Sequence, residues 1–170
     1  MSASVAAAIN DDTDLERTVK AVFLYKFLNY ADWPPTAFTD ANAPFVIGTY
    51  GADAMAGDLA QLAEGRTVSG RAVEVRKLRR TDSLAGIHVL FVGAADTAQL
   101  PVLARAALRQ PLLIVSEGDG ALDAGSAINL LVVDGRVRFD VALDAAEKSG
   151  VHLSSRLLAV AHSVRNRSEP

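Results

Sequence analysis

"IHVLFVGAADTAQLPVLARAALRQPLLIVS", residues 87–116, decides the fold of this chain. Its opening run, 87–93, is almost continuously apolar, as expected for a strand that is buried on both faces of a sheet. A helical pattern follows, in which Pro101 comes early enough to be tolerated in the first turn. A second apolar run, 112–116, predicts another buried strand. Two buried strands joined by a helix predict a parallel sheet with helices packed against it.

A capping box marks the expected start of the first helix. Thr13 can accept a hydrogen bond from the Glu16 amide while the Glu16 side chain reaches back, so a helix is predicted to begin there. Glu16 and Lys20 are expected to pair on its outer side, and Pro34 ends it. Its apolar stripe consists of Leu15, Val19, Val22, Phe23, Phe27 and Tyr30.

Further elements are predicted on both sides of the central unit. Residues 44–51 predict a strand, 52–65 a short helix, and the alternating run 71–78 a strand with one wet face. Near the C-terminus, Asp134-Gly135 separates two apolar runs and favours a type I′ turn between antiparallel strands. Two helices then follow, a short one and a longer one whose stripe consists of Leu153, Leu157, Val160, Ala161 and Val164.

These elements predict a single-domain α/β fold, with a mostly parallel open sheet flanked by helices and one antiparallel hairpin near the C-terminus. The domain is expected to span 12–164, with 1–11 as a disordered N-terminal remnant and 165–170 as a flexible tail. The alanine-rich start "MSASVAAAIN" is similar to a cleavage zone, so a signal peptide is presumed to have been removed.

The composition excludes several classes of function. The 170 residues carry a net charge of −3 and a sequence pI near 5.6, which argues against general nucleic-acid binding, because phosphate contacts supply most of that affinity. Without cysteine, the chain has no thiol nucleophile, thiolate metal site or disulfide. No apolar run approaches the roughly 18 residues that span a bilayer, so no membrane insertion is expected.

The motifs of the sequence predict no catalytic site, no metal and no cofactor. The glycines form neither G-x-G-x-x-G nor a phosphate loop, so they are interpreted as turn formers. His88, His152 and His162 lack a second ligand at i+4 and are interpreted as structural or surface residues. The acids of the loop 117–123 lack the EF-hand spacing, and no serine lies in a nucleophile motif.

The expected crevice at the sheet edge is a candidate ligand site. Ligands of parallel sheets bind at the carboxyl ends of the strands, which points to Gly51, Gly93 and Ser116. A small-molecule binding module is therefore an alternative function for this chain. An enzyme with an unrecognised site is a third alternative.

Two surface features are candidates for protein binding. Trp33, the chain's only tryptophan, is expected to pack with Tyr30 and Phe38. It is interpreted either as a plug that closes the core or as a hot spot for a partner. The basic run 76–80, together with Arg66 and Arg71, is either a solvated edge-strand face or a docking patch for an acidic partner or anionic head groups.

Six stretches carry a resemblance that covers most of Val19–Ala161. They are "VKAVFLYKFLNYADWP", "PFVIGTYG", "GRAVEVRKL", "IHVLFVG", "LLIVSEGDG" and "GRVRFDVALDAAEKSGVHLSSRLLAVA". In this order they resemble the YfiR-like family of bacterial periplasmic proteins. The most specific elements are the aromatic first helix that ends at Trp33-Pro34, and Phe139 followed by "LSSRLL".

The resemblance implies a non-enzymatic periplasmic regulator. In this family a secreted α/β domain, often a homodimer, binds the periplasmic domain of an inner-membrane diguanylate cyclase and holds it inactive, which lowers cyclic di-GMP and biofilm formation. The resemblance also implies an outer-membrane lipoprotein that sequesters the regulator. Redox switching is not carried over, because Ile87 stands where many relatives have cysteine; Ala142 also stands where asparagine is common. The partner-binding candidates are Trp33, Pro34, Phe38, Arg71, Arg76, Arg79 and Arg156.

Overall fold

The structure is a computed structural model that describes residues 2–108 and 110–166, with residues 2–12 described by their backbone only. Within these residues the α-helices are α1 Ser2–Phe27, α2 Asp53–Ala63, α3 Leu100–Ala107, α4 Leu143–Lys148 and α5 Ser155–Val160. The strands are β1 Ala31–Asp32, β2 Phe45–Tyr50, β3 Thr67–Val68, β4 Arg71–Leu78, β5 Val89–Val92, β6 Leu113–Ser116, β7 Ile128–Val133, β8 Arg136–Ala142, β9 His152–Leu153 and β10 Ser163–Arg165. Two 3₁₀ helices lie at Pro35–Ala37 and Ala94–Gln99.

In the described part of the chain, eight strands form one sheet in the order β10-β8-β7-β6-β5-β2-β4-β3. The neighbours from β4 to β7 run parallel to one another, and β10 is parallel to β8. β7 and β8 are antiparallel. The predicted fold class, a mostly parallel sheet flanked by helices with one hairpin near the C-terminus, is therefore confirmed.

The turn between β7 and β8 follows from its two residues. Asp134 has φ 50° and Gly135 has φ 76°, and a type I′ turn requires positive φ at both central positions. The resulting register pairs Leu130 with Phe139. This places the Phe139 ring on the face of the sheet that α1 covers, where it reaches Phe27.

Hydrophobic side chains cover both faces of the sheet. Because successive side chains on a strand point to opposite faces, β5 sends Phe91 to one face and Leu90 to the other. The first face carries the larger cluster, which residues of α1, α2 and α5 join and which contains Phe139. The second face packs against α3 through Leu100. Both faces of the central strands are thus buried, as their continuous apolar runs predicted.

The predicted position and orientation of the first helix are partly wrong. Its backbone is helical from Ser2 rather than from Thr13, because the alanine-rich segment before Thr13 has high helix propensity. Leu15, expected on the core side, is exposed. The Glu16–Lys20 ion pair forms with 2.9 Å between Nζ and Oε2, but Lys20 is buried rather than on the outer side.

The predicted last helix also needs correction. α5 ends at Val160, and Ser163–Arg165 form the edge strand β10 in place of a helix that continues to Val164. The reason is tertiary, since these backbone groups pair with the open edge of β8. His162 is accordingly not helical, and its Nδ1 lies 2.9 Å from Asp140 Oδ1.

Three very short strands were not anticipated from the sequence. β1 and β9 pair as an antiparallel ladder that joins the end of α1 to the start of α5. β3 pairs with β4 in an antiparallel arrangement and forms the edge of the large sheet that lies opposite β10. Strands of two residues carry too little hydrophobic pattern to be recognised. Arg165 belongs to β10 rather than to the predicted tail, whose residues 167–170 lie outside the described part.

Candidate functional site

The Trp33 side chain makes the contacts of a core residue. Its Nε1 donates a hydrogen bond to the His88 carbonyl at 3.1 Å, and its ring packs edge to face on Phe45 with centroids 5.4 Å apart. Phe38 adds a stacked contact with the His88 ring at 4.5 Å. Trp33 is half-buried, and these contacts favour the interpretation as a plug. Tyr30 was expected in this cluster, but it lies beside the start of α5, where its carbonyl accepts a hydrogen bond from the Ser154 amide.

His88 is held as a neutral structural residue. Its Nδ1 accepts a hydrogen bond from the Val46 amide at 3.0 Å, which makes Nε2 the protonated nitrogen that donates to the Ala37 carbonyl at 2.8 Å. Burial lowers the pKa of His88, and the charges of Arg71 and Arg76 lower it further. Since both ring nitrogens are engaged with the backbone, neither is available to a metal or a substrate.

The basic patch divides into residues with different contacts. The Arg71 guanidinium lies 3.7 Å from the centre of the Phe38 ring, and its Nη1 donates to the carbonyls of Asp40 and Ala43 at 3.0 and 2.7 Å. Arg71 therefore fastens the 38–43 loop to β4. The other arginines of the run 76–80, Arg76, Arg79 and Arg80, are exposed, and Arg76 pairs with Glu74 at 3.0 Å.

We expect Arg71→Ala to lower the free energy of unfolding by about 1–2 kcal/mol, because it removes two hydrogen bonds and a cation–π contact. The matched change Arg76→Ala removes only an exposed ion pair and should alter stability by less than about 0.5 kcal/mol. Urea unfolding followed by circular dichroism measures both values. Equal effects of the two substitutions would contradict the structural role of Arg71.

The predicted ligand crevice is largely occupied by the chain itself. A side chain at Gly93 would place its Cβ 2.6 Å from the Gly51 carbonyl oxygen, so the two backbones are already in contact. The Asp96 carboxylate lies directly over Gly51. Ser116 is buried, with its Oγ 2.8 Å from Ser126 Oγ and 2.9 Å from Asn129 Oδ1. These three positions thus make internal contacts, and a ligand there stays a prediction.

Ion pairs tie α1 to the rest of the domain. Lys20 Nζ donates to Glu16 and to Glu117 in the loop after β6, both at 2.9 Å. Burial alone would lower the pKa of Lys20, but these hydrogen bonds and the two negative charges raise it above its ordinary value. Arg17 Nε lies 2.6 Å from Asp58 Oδ2 of α2. These ion pairs therefore hold α1 against α2 and against the loop after β6.

A groove of about 490 Å³ lies between the end of α1 and α5. We call it the aromatic groove. Ser154 caps the start of α5, because the Leu157 amide donates to Ser154 Oγ at 3.2 Å. The Ser154 amide donates to the Tyr30 carbonyl at 2.9 Å, and this bond holds the start of α5 beside the end of α1. The groove is lined by Phe23, Lys26, Phe27, Tyr30, Phe139, Arg156, Leu157, Ala159 and Val160.

The floor of the aromatic groove is apolar and closely packed. Phe27 and Phe139 are buried there with ring centroids 5.3 Å apart in an edge-to-face arrangement, and Phe23 packs on Phe139 at 5.8 Å. At the rim, 37% of the Tyr30 surface and 62% of the Val160 surface are exposed. The apolar surface that another molecule could touch therefore comes from Phe23, Tyr30 and Val160, above a floor of buried aromatic rings.

The two cationic side chains of the aromatic groove stand on opposite walls. Lys26 belongs to α1 and Arg156 to α5, and both side chains are exposed. Neither forms an ion pair with any residue that the structure describes. The groove therefore combines an apolar floor with two positive charges that form no ion pair within the described residues, a composition suited to binding another molecule.

Across residues 13–108 and 110–166, no three histidine, aspartate or glutamate side chains come together in a way that could hold a metal ion. No helix in the described residues is both long and apolar enough to cross a lipid bilayer.

A family model for YfiR/HmsC-like proteins matches residues 17–162, which is most of the chain and includes every residue of the aromatic groove. The chain belongs to the YfiR/HmsC-like family. The matched span contains the core of the sheet and both walls of the groove, so both are parts of the family domain. No match was found among curated proteins.

Sequence reasoning identified only one residue of the groove, Arg156, as a candidate for binding. Phe23, Phe27 and Tyr30 had been assigned to the apolar stripe of the first helix, and their spacing does place them on one side of the chain. The spacing could not show that this side is left partly uncovered. In this member of the YfiR/HmsC-like family, that depends on where α5 packs.

Proposed function

We propose that this protein is a non-enzymatic periplasmic regulator. It binds the periplasmic domain of an inner-membrane diguanylate cyclase and represses the enzyme, which lowers cyclic di-GMP and biofilm formation. The observation that carries the proposal is membership of the YfiR/HmsC-like family. The aromatic groove supports it, because a preformed apolar recess with unpaired charges suits a protein contact.

The mechanism is a shift of population in the cyclase. A regulator that binds the inactive conformation of a two-state receptor more tightly than the active one favours the inactive form, by no more than its difference in affinity for the two. The regulator itself needs no reactive group for this. In the same proposal the regulator acts as a homodimer, and an outer-membrane lipoprotein that sequesters it would release the cyclase.

Deletion of the gene tests this function in the native host. We expect cyclic di-GMP and biofilm mass to rise in the deletion strain and to return to their original levels when the wild-type gene is restored. In a strain that also lacks the cyclase, the deletion should change neither quantity. Unchanged cyclic di-GMP after deletion of the regulator gene alone would count against the proposal.

A further inference from the structure

The aromatic groove has the shape and composition of a binding site for one segment of another protein. Its first wall carries the half-buried Phe23 of α1 and the exposed Tyr30, which lies three residues after the end of α1, and the buried rings of Phe27 and Phe139 close the floor. Aromatic and arginine side chains around a recess are typical of the residues that dominate binding energy at protein interfaces. The groove matches the known mode in which an apolar segment lies in a hydrophobic groove.

The charges of the groove indicate what such a segment carries. Lys26 and Arg156 are exposed on opposite walls and form no ion pair with the described residues. Complementary charges across an interface steer association and reject wrong partners. A segment with carboxylates on both flanks of its apolar residues would pair with both cations at once.

Two other occupants fit the groove less well. In a symmetric homodimer formed through this surface, the same patch meets itself, so each copy would bring two cations and no lining carboxylate to one interface. A lipid bilayer presents anionic head groups, but its surface cannot enter a recess whose floor lies beneath two helices. A protein segment satisfies both the shape and the charge.

We infer that the aromatic groove is the receptor-binding surface of this protein, and that its ligand is an apolar segment with acidic flanks in the periplasmic domain of the cyclase. The inference rests on the proposed function and makes it more specific. It also assigns the contact to the groove rather than to the basic run 76–80, which begins in β4 and contains Arg79.

Two substitutions test the inference without disturbing the core. Val160→Asp puts a charge at the apolar rim, and Arg156→Glu reverses one of the two cations; both side chains are exposed. The matched controls are Val102→Asp on α3, where 64% of the valine surface is exposed, and Arg79→Glu at the exposed position directly after β4. Thermal unfolding of each full-length variant checks that it is folded.

Binding of each variant to the purified periplasmic domain of the cyclase is measured by calorimetry at low and at high salt. We expect Val160→Asp to weaken binding about thirtyfold, and Arg156→Glu about tenfold with a smaller dependence on salt than the wild type. Both controls should bind like the wild type. Anionic phospholipid vesicles serve as a second probe and should not bind the wild-type protein.

The outcomes separate the inference from the function it rests on. If the wild type and all variants bind the cyclase domain equally, or if Arg79→Glu alone weakens binding, the groove is not the receptor-binding surface although the proposed function stands. If the wild type binds no cyclase domain, both fail. Binding to the vesicles that is lost in Val160→Asp would instead assign the groove to a lipid surface.

Discussion

Replacing Phe139 with alanine is expected to lower the free energy of unfolding by about 3–5 kcal/mol. Phe139 is almost completely buried, and its ring contacts Phe27 and Phe23 of α1 at centroid distances of 5.3 and 5.8 Å. The substitution removes apolar area from the core and leaves a cavity between β8 and α1, since the surrounding backbone can close it only in part.

Urea unfolding measures the Phe139→Ala effect, and a fall of about 10 °C in Tm is expected with it. Val132→Ala on the neighbouring strand is the matched control, because 46% of that side chain is exposed and its loss should cost less than about 0.5 kcal/mol. A Phe139→Ala effect as small as that of the control would show that the packing of β8 on α1 is not as described.

Replacing His88 with alanine is expected to destabilise the domain by about 3 kcal/mol, because two buried backbone groups each lose a hydrogen-bond partner. The Val46 amide would lose its acceptor and the Ala37 carbonyl its donor, and the stacked contact with Phe38 would also disappear. His152→Ala, at an exposed position, should change stability by less than about 0.5 kcal/mol. Comparable losses in the two variants would contradict this network.

His88 also predicts how stability depends on pH. Its pKa in the folded state lies below the ordinary value of 6.5, so the unfolded chain takes up the proton first on acidification. The stability that neutral His88 contributes to the folded state is complete above pH 6.5 and is lost as the pH falls through the folded-state pKa. The difference in unfolding free energy between wild type and His88→Ala should therefore shrink in acid. A constant difference from neutral pH downwards would rule out a neutral buried His88.

The elements with strong local signals were predictable. The two apolar runs around Pro101 and the turn at Asp134-Gly135 depend on side chains close together in sequence, and the structure confirms both. β10 was missed for the opposite reason: Ser163–Arg165 have spacing compatible with a helix and become a strand only because β8 offers an unpaired edge. The sequence likewise predicted Lys20 on the outer side of its helix. The fold buries Lys20 and brings it to Glu117, which is 97 positions away in the chain.

The sequence by itself determined the alternation of strands and helices, the hairpin and the membership of the YfiR/HmsC-like family. These follow from residue types and spacings within short stretches, where hydrophobic period and turn chemistry act locally. Only the tertiary structure decided that Trp33 packs against the core and that the aromatic groove is open. Exposure depends on which distant elements pack over a side chain, and the spacing along one helix cannot specify that.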